Sequence, residues 1–300
     1  MCGIVGVYSK SDRFSAELGT HLAAMLAEMS HRGPDSAGVA VYRDPVAAGQ
    51  AKVSLRAEDG IDREALTEAL DRGLGLERLE TQGDSFALAT VHAEPAAAEA
   101  WIGAELPGLQ ILGAGRQIEI YKDAVHPDEF IARFDVGDLS GSHALGHTRM
   151  ATESRVTAAG SHPFSTGRDL CLVHNGSLSN HNRLRDELAR EGTVFRTAND
   201  SEVAAAYLTR RIAGGEGLEA ALESCLENLD GFYTFAVGTA DGFAVLRDPI
   251  ACKPAVMAET EEWVAMASEY RALAVLPGAA AARVWEPEPG VVYSWGGESA

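Results

Sequence analysis

The first ten residues, "MCGIVGVYSK" (1–10), place a cysteine directly after the start methionine and before an apolar, β-branched run. The run predicts a buried strand, and cysteine is small enough for the methionine to be removed. Removal would leave a thiol and a free α-amine on Cys2, and such an amine has an ordinary pKa of about 7.7–8.0. Cys2 would then supply a nucleophile and its general base together. The alternative is a structural cysteine at the start of a strand.

Composition and charge limit the class of protein. The 300 residues are 46% apolar and 23% charged, which is typical of one large globular domain, and the net charge of −19 disfavours nucleic acid and anionic membranes as partners. No apolar stretch of membrane-spanning length and no signal peptide can be recognised, so we expect a cytoplasmic protein. The cysteines have no metal-binding spacing, which predicts free thiols and no metal site; they are Cys2, Cys171, Cys225 and Cys252.

The apolar periodicity predicts a layered α+β domain. Helical spacing is found over 15–30, over "NDSEVAAAYLTRRI" (199–212) and over about 217–229. The last two helices lie between two groups of predicted strands, which indicates sheets covered by helices. We expect a single domain over 1–300, with a small α/β insertion at approximately 44–140.

Two polar positions follow predicted strands. In "GHTRMATES" (146–154), Arg149 comes at a strand end, where a guanidinium can hold a carboxylate with two hydrogen bonds, although a surface arginine is the alternative. In "LVHNGSLSN" (172–180), the Asn175 amide and the Gly176 backbone N–H can donate to a developing oxyanion. The alternative for Asn175-Gly176 is a hairpin turn.

Two further stretches carry candidate residues. Asp200 in "TANDSE" (197–202) lies at a predicted helix start, where its carboxylate can cap the helix or bind a substrate ammonium group. "HRGPDSAG" (31–38) predicts a tight turn close to another backbone or to a ligand. Its histidine, His31, is more typical of a packed or surface position than of a catalyst.

Together these stretches resemble the class II glutamine amidotransferases, which belong to the N-terminal nucleophile hydrolases. The resemblance is carried in chain order by "MCGIVG", "HRGPDSAG", "GHTRMAT", "HNG" and "NDSE", and later by "DGFYTFAV", "RDPIACKP" and "SEYRAL". It covers about 1–42 and 143–295. It implies a four-layer αββα sandwich with a small α/β insertion.

The resemblance also implies a reaction. Cys2 would attack the side-chain amide of glutamine with its own α-amine as base, while Asn175 and Gly176 form the oxyanion hole. A γ-glutamyl thioester and ammonia would result, and water would then release glutamate.

The same resemblance implies a set of substrate-binding residues. These are Arg149 for the α-carboxylate, Thr152 beside it, Asp200 for the α-ammonium, and Arg32 in the loop that packs against the site. The chain departs from many relatives at Met150, where they carry an aromatic residue, and from some at Glu153, where they carry histidine. These departures concern the lid of the site and leave the thioester chemistry intact.

The end of the chain and one stretch of the predicted insertion indicate which kind of glutamine amidotransferase the chain resembles. The chain ends near the limit of a glutaminase domain, so we expect a separate partner to accept the ammonia. The stretch "GAGRQIEIYKDAVHPDEF" (113–130) is similar to glutamate-synthase-type amidotransferase domains. Stand-alone subunits of this kind resemble the amidotransferase subunit of N-methylglutamate synthase, which implies a glutamate-synthase-like flavin subunit and a Gly-rich subunit as partners. The FMN would belong to the partner, with no cofactor in this chain.

Two other functions remain open from the residues. One is a non-catalytic module that senses glutamine, which an intact Cys2 and oxyanion pair disfavour. The other is an N-terminal cysteine hydrolase of a different amide, which would not need an amino-acid clamp made from Arg149 and Asp200.

Overall fold

The computed structural model describes residues 2–150 and 156–296, which form two large antiparallel sheets and one smaller sheet. The helices are α1 (Asp12–Ala16), α2 (Leu18–Glu28), α3 (Arg63–Leu74), α4 (Pro95–Glu105), α5 (Pro127–Arg133), α6 (His181–Arg190), α7 (Asp200–Ala213), α8 (Leu218–Asn228) and α9 (Tyr270–Ala274). The strands are β1 (Gly3–Ser9), β2 (Ser36–Tyr42), β3 (Ala51–Arg56), β4 (Leu76–Gln82), β5 (Phe86–Val91), β6 (Gln110–Gly115), β7 (Ile118–Asp123), β8 (His143–Arg149), β9 (Phe164–Gly167), β10 (Leu170–Leu178), β11 (Gly231–Thr239), β12 (Gly242–Arg247), β13 (Val256–Glu259), β14 (Trp263–Ala267), β15 (Arg283–Trp285) and β16 (Val292–Gly296).

The two large sheets stack face to face between helices. One has the order β15-β13-β14-β1-β8-β2-β7 and the other the order β16-β12-β11-β10-β9. Helix α2 packs on β1 and β8, helix α7 packs on β9 and β10, and β1 contacts β10 and β12 across the interface between the sheets. The layers therefore run helix, sheet, sheet, helix, which confirms the expected αββα sandwich.

Strand β1 occupies the centre of the seven-stranded sheet. It pairs antiparallel with β14 on one side, where Val5 lies opposite Ala267, and with β8 on the other, where Gly3 lies opposite Thr148. Its residues are buried except for partial exposure of Tyr8, because the strand is covered by α2 on one face and by the second sheet on the other. The N-terminal end of β1 is therefore fixed in the fold, and so is the attachment point of Cys2, the residue that precedes it.

The third sheet accounts for most, but not all, of the expected insertion. Strands β4-β5-β3-β6 form it, and α3 and α4 cover it with a core that includes Leu66, Leu70 and Ile102. Strand β7 also falls within 44–140, yet it pairs with β2 in the seven-stranded sheet, and α5 packs on α2. The four-stranded unit thus occupies 51–115. A hydrophobic pattern identifies a strand such as β7 without identifying the strand that it pairs with.

Candidate active site

Cys2 lies half-buried directly before β1. Ser268 fixes the start of this strand, because Ile4 N donates to Ser268 Oγ at 2.9 Å and Ser268 N donates to the Ile4 carbonyl at 2.9 Å. The Cys2 carbonyl accepts two side-chain hydrogen bonds, from Arg32 Nε at 3.1 Å and from Asn175 Nδ2 at 3.3 Å. Asn175 belongs to the second sheet, so Cys2 is held where the two sheets meet.

Arg32 connects the Cys2 backbone to the end of β14. Its side chain is buried, and its Nη1 forms an ion pair with the Glu269 carboxylate. The hydrogen bond from Arg32 lowers the pKa of Glu269, which also forms an ion pair with Arg271, its Oε2 lying 2.9 Å from Arg271 Nε. The resemblance implies that Arg32 binds substrate, and its described contacts are to the Cys2 carbonyl and to Glu269. The sequence offered no chemical signal for Glu269 beyond the family stretch "SEYRAL".

Asn175 and Gly176 lie inside β10 and do not form a hairpin turn. They pair with Thr234 and Tyr233 of β11, so the hairpin alternative is wrong. Gly176 has a φ of 154°, and a Cβ built on it would lie 2.0 Å from the Phe232 carbonyl oxygen. Only glycine fits there, because any side chain would collide with the neighbouring strand. The Asn175 amide therefore reaches Cys2 from a strand in which the next residue has to be glycine.

Arg149 ends β8, opposite Ser36 of β2. Its Nη1 donates to the Gly160 carbonyl oxygen at 3.1 Å, which aligns the guanidinium with the turn that follows the 151–155 segment. Thr152 lies outside the described residues, as does Glu153, so the place of Thr152 beside Arg149 stays a prediction. Met150 is exposed.

Asp200 is the first residue of α7, but it is not the helix cap. The capping residue is Asn199, whose side chain accepts from Ser201 N at 2.9 Å, so the capping alternative for Asp200 is wrong. Asp200 Oδ2 instead accepts from Leu178 N of β10 at 2.8 Å. Asn199 Nδ2 donates to the Gly160 carbonyl at 3.3 Å. The Gly160 carbonyl thus accepts hydrogen bonds from both Arg149 and Asn199, the residue before Asp200. This shared acceptor brings the two predicted ends of an amino-acid clamp together.

Three buried histidines pack beside the residues of the candidate site. The rings of His147 and His162 stack with centroids 4.0 Å apart, and His147 Nε2 lies 3.2 Å from the His174 carbonyl. His174 Nδ1 pairs with Ser201 Oγ at 2.9 Å, which ties β10 to α7. Desolvation lowers the pKa of His147 to about 3 and of His174 to about 4, and it lowers the pKa of His162 well below the ordinary value. The three rings are therefore neutral at pH 7.

Neither a metal cluster nor a membrane-spanning helix is found in the part of the chain that the structure describes. Within 2–150 and 156–296, no group of three or more His, Cys, Asp or Glu side chains is arranged to hold a metal ion. Over the same residues, every helix is too short or too polar to cross a bilayer. A cleft of about 560 Å³ is lined by paired charges such as Lys52 and Glu119 and does not include Cys2, Arg149 or Asp200. The candidate site is therefore a separate feature of the fold.

Comparison with known proteins agrees with this geometry. A family model described as "Glutamine amidotransferase domain" matches residues 147–275. The chain is also 53% identical over 296 residues to the glutamine amidotransferase-like protein GlxB of Rhizobium meliloti (strain 1021), with 98% of each chain covered. The chain belongs to the glutamine amidotransferase family. A putative glutamine amidotransferase of Methanothermobacter thermautotrophicus is 31% identical to this chain over 288 residues, which are 90% of this chain and 92% of that protein.

Solved structures share the fold of this chain. The PRPP amidotransferase of B. subtilis, in complex with ADP and GMP, superposes with a TM-score of 0.63 at 21% identity. The match covers 99% of this chain and 48% of the other, so the chain spans about half the length of that protein. Fold and family together confirm the resemblance to class II glutamine amidotransferases of the N-terminal nucleophile type.

Proposed function

We propose that this chain hydrolyses glutamine to glutamate and ammonia with Cys2 as the nucleophile, after removal of Met1. The Cys2 thiolate attacks the side-chain carbonyl carbon of glutamine, the C–N bond breaks, and ammonia leaves with a proton passed on by the α-amine. Water then attacks the γ-glutamyl thioester, which releases glutamate and regenerates the thiol. The observation that carries the proposal is the hydrogen bond from Asn175 of the second sheet to the Cys2 carbonyl of the first.

That contact supports an oxyanion hole. It fixes the Asn175 amide next to Cys2, and the backbone N–H of Gly176 follows one residue later on the same strand. Two donors that are fixed before the reaction stabilise a developing negative charge without reorganising. We assign Asn175 and Gly176 to the oxyanion of the tetrahedral intermediate.

The Arg149–Gly160–Asn199 arrangement supports recognition of a free amino acid. Arg149 would bind the α-carboxylate of glutamine, and Asp200, whose side chain is 22% exposed, would bind the α-ammonium. Opposite charges at the two ends of a clamp select a zwitterion over an ordinary amide. A hydrolase of another amide would have no use for this pair.

Covalent labelling tests the nucleophile. A diazoketone analogue of glutamine should label Cys2 stoichiometrically, with the site mapped by peptide mass spectrometry, and glutamine should protect against it. The other thiols serve as internal controls: burial raises the pKa of Cys171 to about 12 and also raises that of Cys225, whereas Cys252 is exposed. Labelling at Cys252 in place of Cys2 would exclude the mechanism.

A matched control separates the thiol from the α-amine. A protein with one additional residue before Cys2 keeps the thiol but converts its amine into a peptide nitrogen, so we expect turnover to fall at least a hundredfold. Full activity of the extended protein would show that the α-amine is not the base. Glutamine binding without labelling or turnover of the processed protein would instead support the sensing alternative.

We also propose that a partner subunit receives the ammonia. The expected partners are the glutamate-synthase-like flavin subunit, which would carry FMN, and the Gly-rich subunit of an N-methylglutamate-synthase-type complex. Affinity purification from the native host, followed by an absorption spectrum, tests this: co-purifying subunits with flavin absorbance support it. Purification of the chain by itself, with glutaminase activity that no host protein increases, would contradict it.

A further inference from the structure

We propose that Lys122 is a positioning residue that orients the Arg149 side of the glutamine clamp through the turn at 157–163. This inference rests on the proposed function, since it concerns how glutamine is held. Lys122 lies on β7, opposite Gly38 of β2, and its ammonium group bonds to this turn rather than to Cys2 or Asn175.

The turn at 157–163 is built against the inner face of the seven-stranded sheet. Within it, Gly160 N donates to Thr157 Oγ1 at 3.1 Å and Ser161 Oγ donates to the Thr157 carbonyl at 2.8 Å. The His162 carbonyl comes so close to β2 that a Cβ on Gly38 would lie 2.2 Å from it. Glycine at position 38 therefore makes room for the turn, which is a built part of the fold.

The Lys122 ammonium group binds the backbone of this turn with all three of its N–H donors. Its Nζ donates to the carbonyls of Ala159, Ser161 and Pro163, at 3.4, 2.9 and 3.2 Å. An ammonium group has three N–H donors, and here each has a backbone acceptor. Lys122 is 3% exposed, so these carbonyls are shielded from water that could replace the lysine.

The direction of the Gly160 carbonyl follows from these contacts. Lys122 holds the carbonyls of the residues on either side, Ala159 and Ser161, which leaves the Gly160 carbonyl to face Arg149 and Asn199. Without the ammonium group, the carbonyls of 159 and 161 would lack a buried partner, and the turn would be free to rotate. Arg149 would then lose an acceptor that aligns it.

The surroundings of Lys122 bring its pKa close to neutral pH. Its pKa is lowered to about 7, mainly by desolvation; the nearby Glu202 carboxylate opposes this shift, and Arg196 and Arg56 contribute to it. The charged and titratable groups that face it from the neighbouring elements are Arg56 of β3, Glu99 of α4, His162 of the turn, Arg196 before α7 and Glu202 of α7. Loss of the proton reduces the three donors to two, so glutamine binding should weaken above about pH 7.

Equilibrium binding of glutamine to a Cys2→Ala protein, which cannot turn glutamine over, tests the proposal by calorimetry. In that background we expect Lys122→Met to raise the Kd about tenfold or more at pH 6.5, and Lys122→Gln, which keeps two donors, to give an intermediate value. In the protein with Cys2 intact, the same changes should raise KM while kcat at saturating glutamine changes by less than about threefold.

Lys52→Met is the matched control. Lys52 is also a buried lysine, with its Nζ 2.8 Å from Glu119 Oε1, but it lies on β3 away from the turn. We expect it to lower thermal stability and to leave the Kd unchanged. An unchanged Kd in both Lys122 variants, or parallel pH profiles of the Kd for the Lys122→Met protein and its parent between pH 6 and 8.5, would limit Lys122 to stability and overturn the proposal. If the Cys2→Ala parent itself binds no glutamine, the proposed function fails first.

Discussion

Asp200 shows how a residue-level pattern can have more than one meaning. A carboxylate at a helix start is usually a cap, yet Asn199 takes that role and Asp200 accepts from Leu178 N of the neighbouring strand. Among the described residues, the other carboxylate oxygen has longer contacts, 3.4 Å from Ser201 Oγ and 3.9 Å from His174 Nδ1. Asp200 is therefore positioned to receive a cation without giving up its structural contact.

Replacing Asp200 by asparagine should separate these two roles. The Asp200→Asn side chain keeps an oxygen for Leu178 N but loses the charge that would attract the glutamine ammonium. Because hydrogen bonds to charged groups contribute about 1.5–3 kcal/mol, we expect KM for glutamine to rise roughly 10- to 100-fold, measured by glutamate release.

Asp169→Asn provides the control for this change. Asp169 also accepts backbone N–H groups, from Arg116, Gln117 and Ile118 at 2.7–2.9 Å, but none of these belongs to the candidate site. It should lower the melting temperature without changing KM. Equal KM values for the Asp200→Asn protein and the parent protein would remove Asp200 from substrate recognition.

At the residue scale, the sequence identified groups whose chemistry is local. Cys2, Asn175 and Arg149 were selected as candidates because each follows or precedes an apolar run in an unusual position, and their roles stay predictions. Glu269 and Lys122 were not found, because an acidic residue after a strand and a lysine within one are common on solvated surfaces. Their importance comes from partners far along the chain, Arg32 and the 157–163 turn, which no local pattern reveals.

At the scale of elements, β10 carries the two proposed oxyanion donors, and its position between neighbouring strands limits which residues it can contain. Its backbone pairs with β11 without interruption from Cys171 to Leu178, through the position of Gly176. A strand interior usually disfavours glycine, so its presence here indicates a close approach of another backbone. The close neighbour is the Phe232 carbonyl.

Gly176→Ala should disrupt this element at the oxyanion hole. The added methyl must displace the carbonyl of Phe232, which rotates the 176 peptide and misdirects its N–H. Loss of one oxyanion donor costs about 10²–10³ in kcat. We expect a loss of this size, measured at a temperature where the protein is folded by circular dichroism.

Gly242→Ala is the matched change elsewhere in the same sheet. Its added Cβ would lie 2.1 Å from the Trp295 carbonyl oxygen, a clash like that at Gly176 but on the β12–β16 pair. We expect Gly242→Ala to destabilise the protein about as much as Gly176→Ala does and to leave kcat unchanged. If both variants keep kcat, the Gly176 N–H is not part of the oxyanion hole.

The apolar periodicity predicted where helices and strands occur better than it predicted which strands pair with each other. The helices near 15–30, 199–212 and 217–229 correspond to α2, α7 and α8, whose apolar faces repeat regularly. Helix α6 is strongly amphipathic but was not predicted, because its ten residues carry few apolar side chains, chiefly Leu184 and Leu188. Strand pairing across 100 residues or more, as in β1 with β8 and β14, is not predicted by such a pattern.

At the scale of the whole molecule, buried histidines make stability dependent on pH. His143 joins the site histidines: desolvation lowers its pKa to about 4, and its ring stacks on Tyr42 at 4.1 Å. In the unfolded chain these imidazoles take up protons near pH 6.5, whereas in the folded chain they stay neutral down to about pH 4 or below. The free energy of unfolding should therefore fall as pH is lowered from about 6.5 to 4.

His162→Leu should weaken this acid dependence. Among the described residues, neither ring nitrogen of His162 has a hydrogen-bond partner, so leucine removes a titrating group without breaking a contact of that kind. We expect the slope of unfolding free energy against pH, measured with urea at pH 5–6.5, to decrease by up to about 1.4 kcal/mol per pH unit. His92→Leu, at an exposed position, is the control, and equal slopes in the two variants would contradict the prediction.

The central place of β1 also orders events during synthesis. Strand β1 leaves the ribosome first, but its neighbour β8 ends at Arg149 and its other neighbour, β14, begins only at Trp263. At about 5–20 residues per second, β14 emerges on the order of tens of seconds later. Throughout that interval Cys2 has no completed sheet to enter, which would leave an aminopeptidase time to remove Met1. If Cys2 is the nucleophile, its maturation would then precede closure of the fold around it.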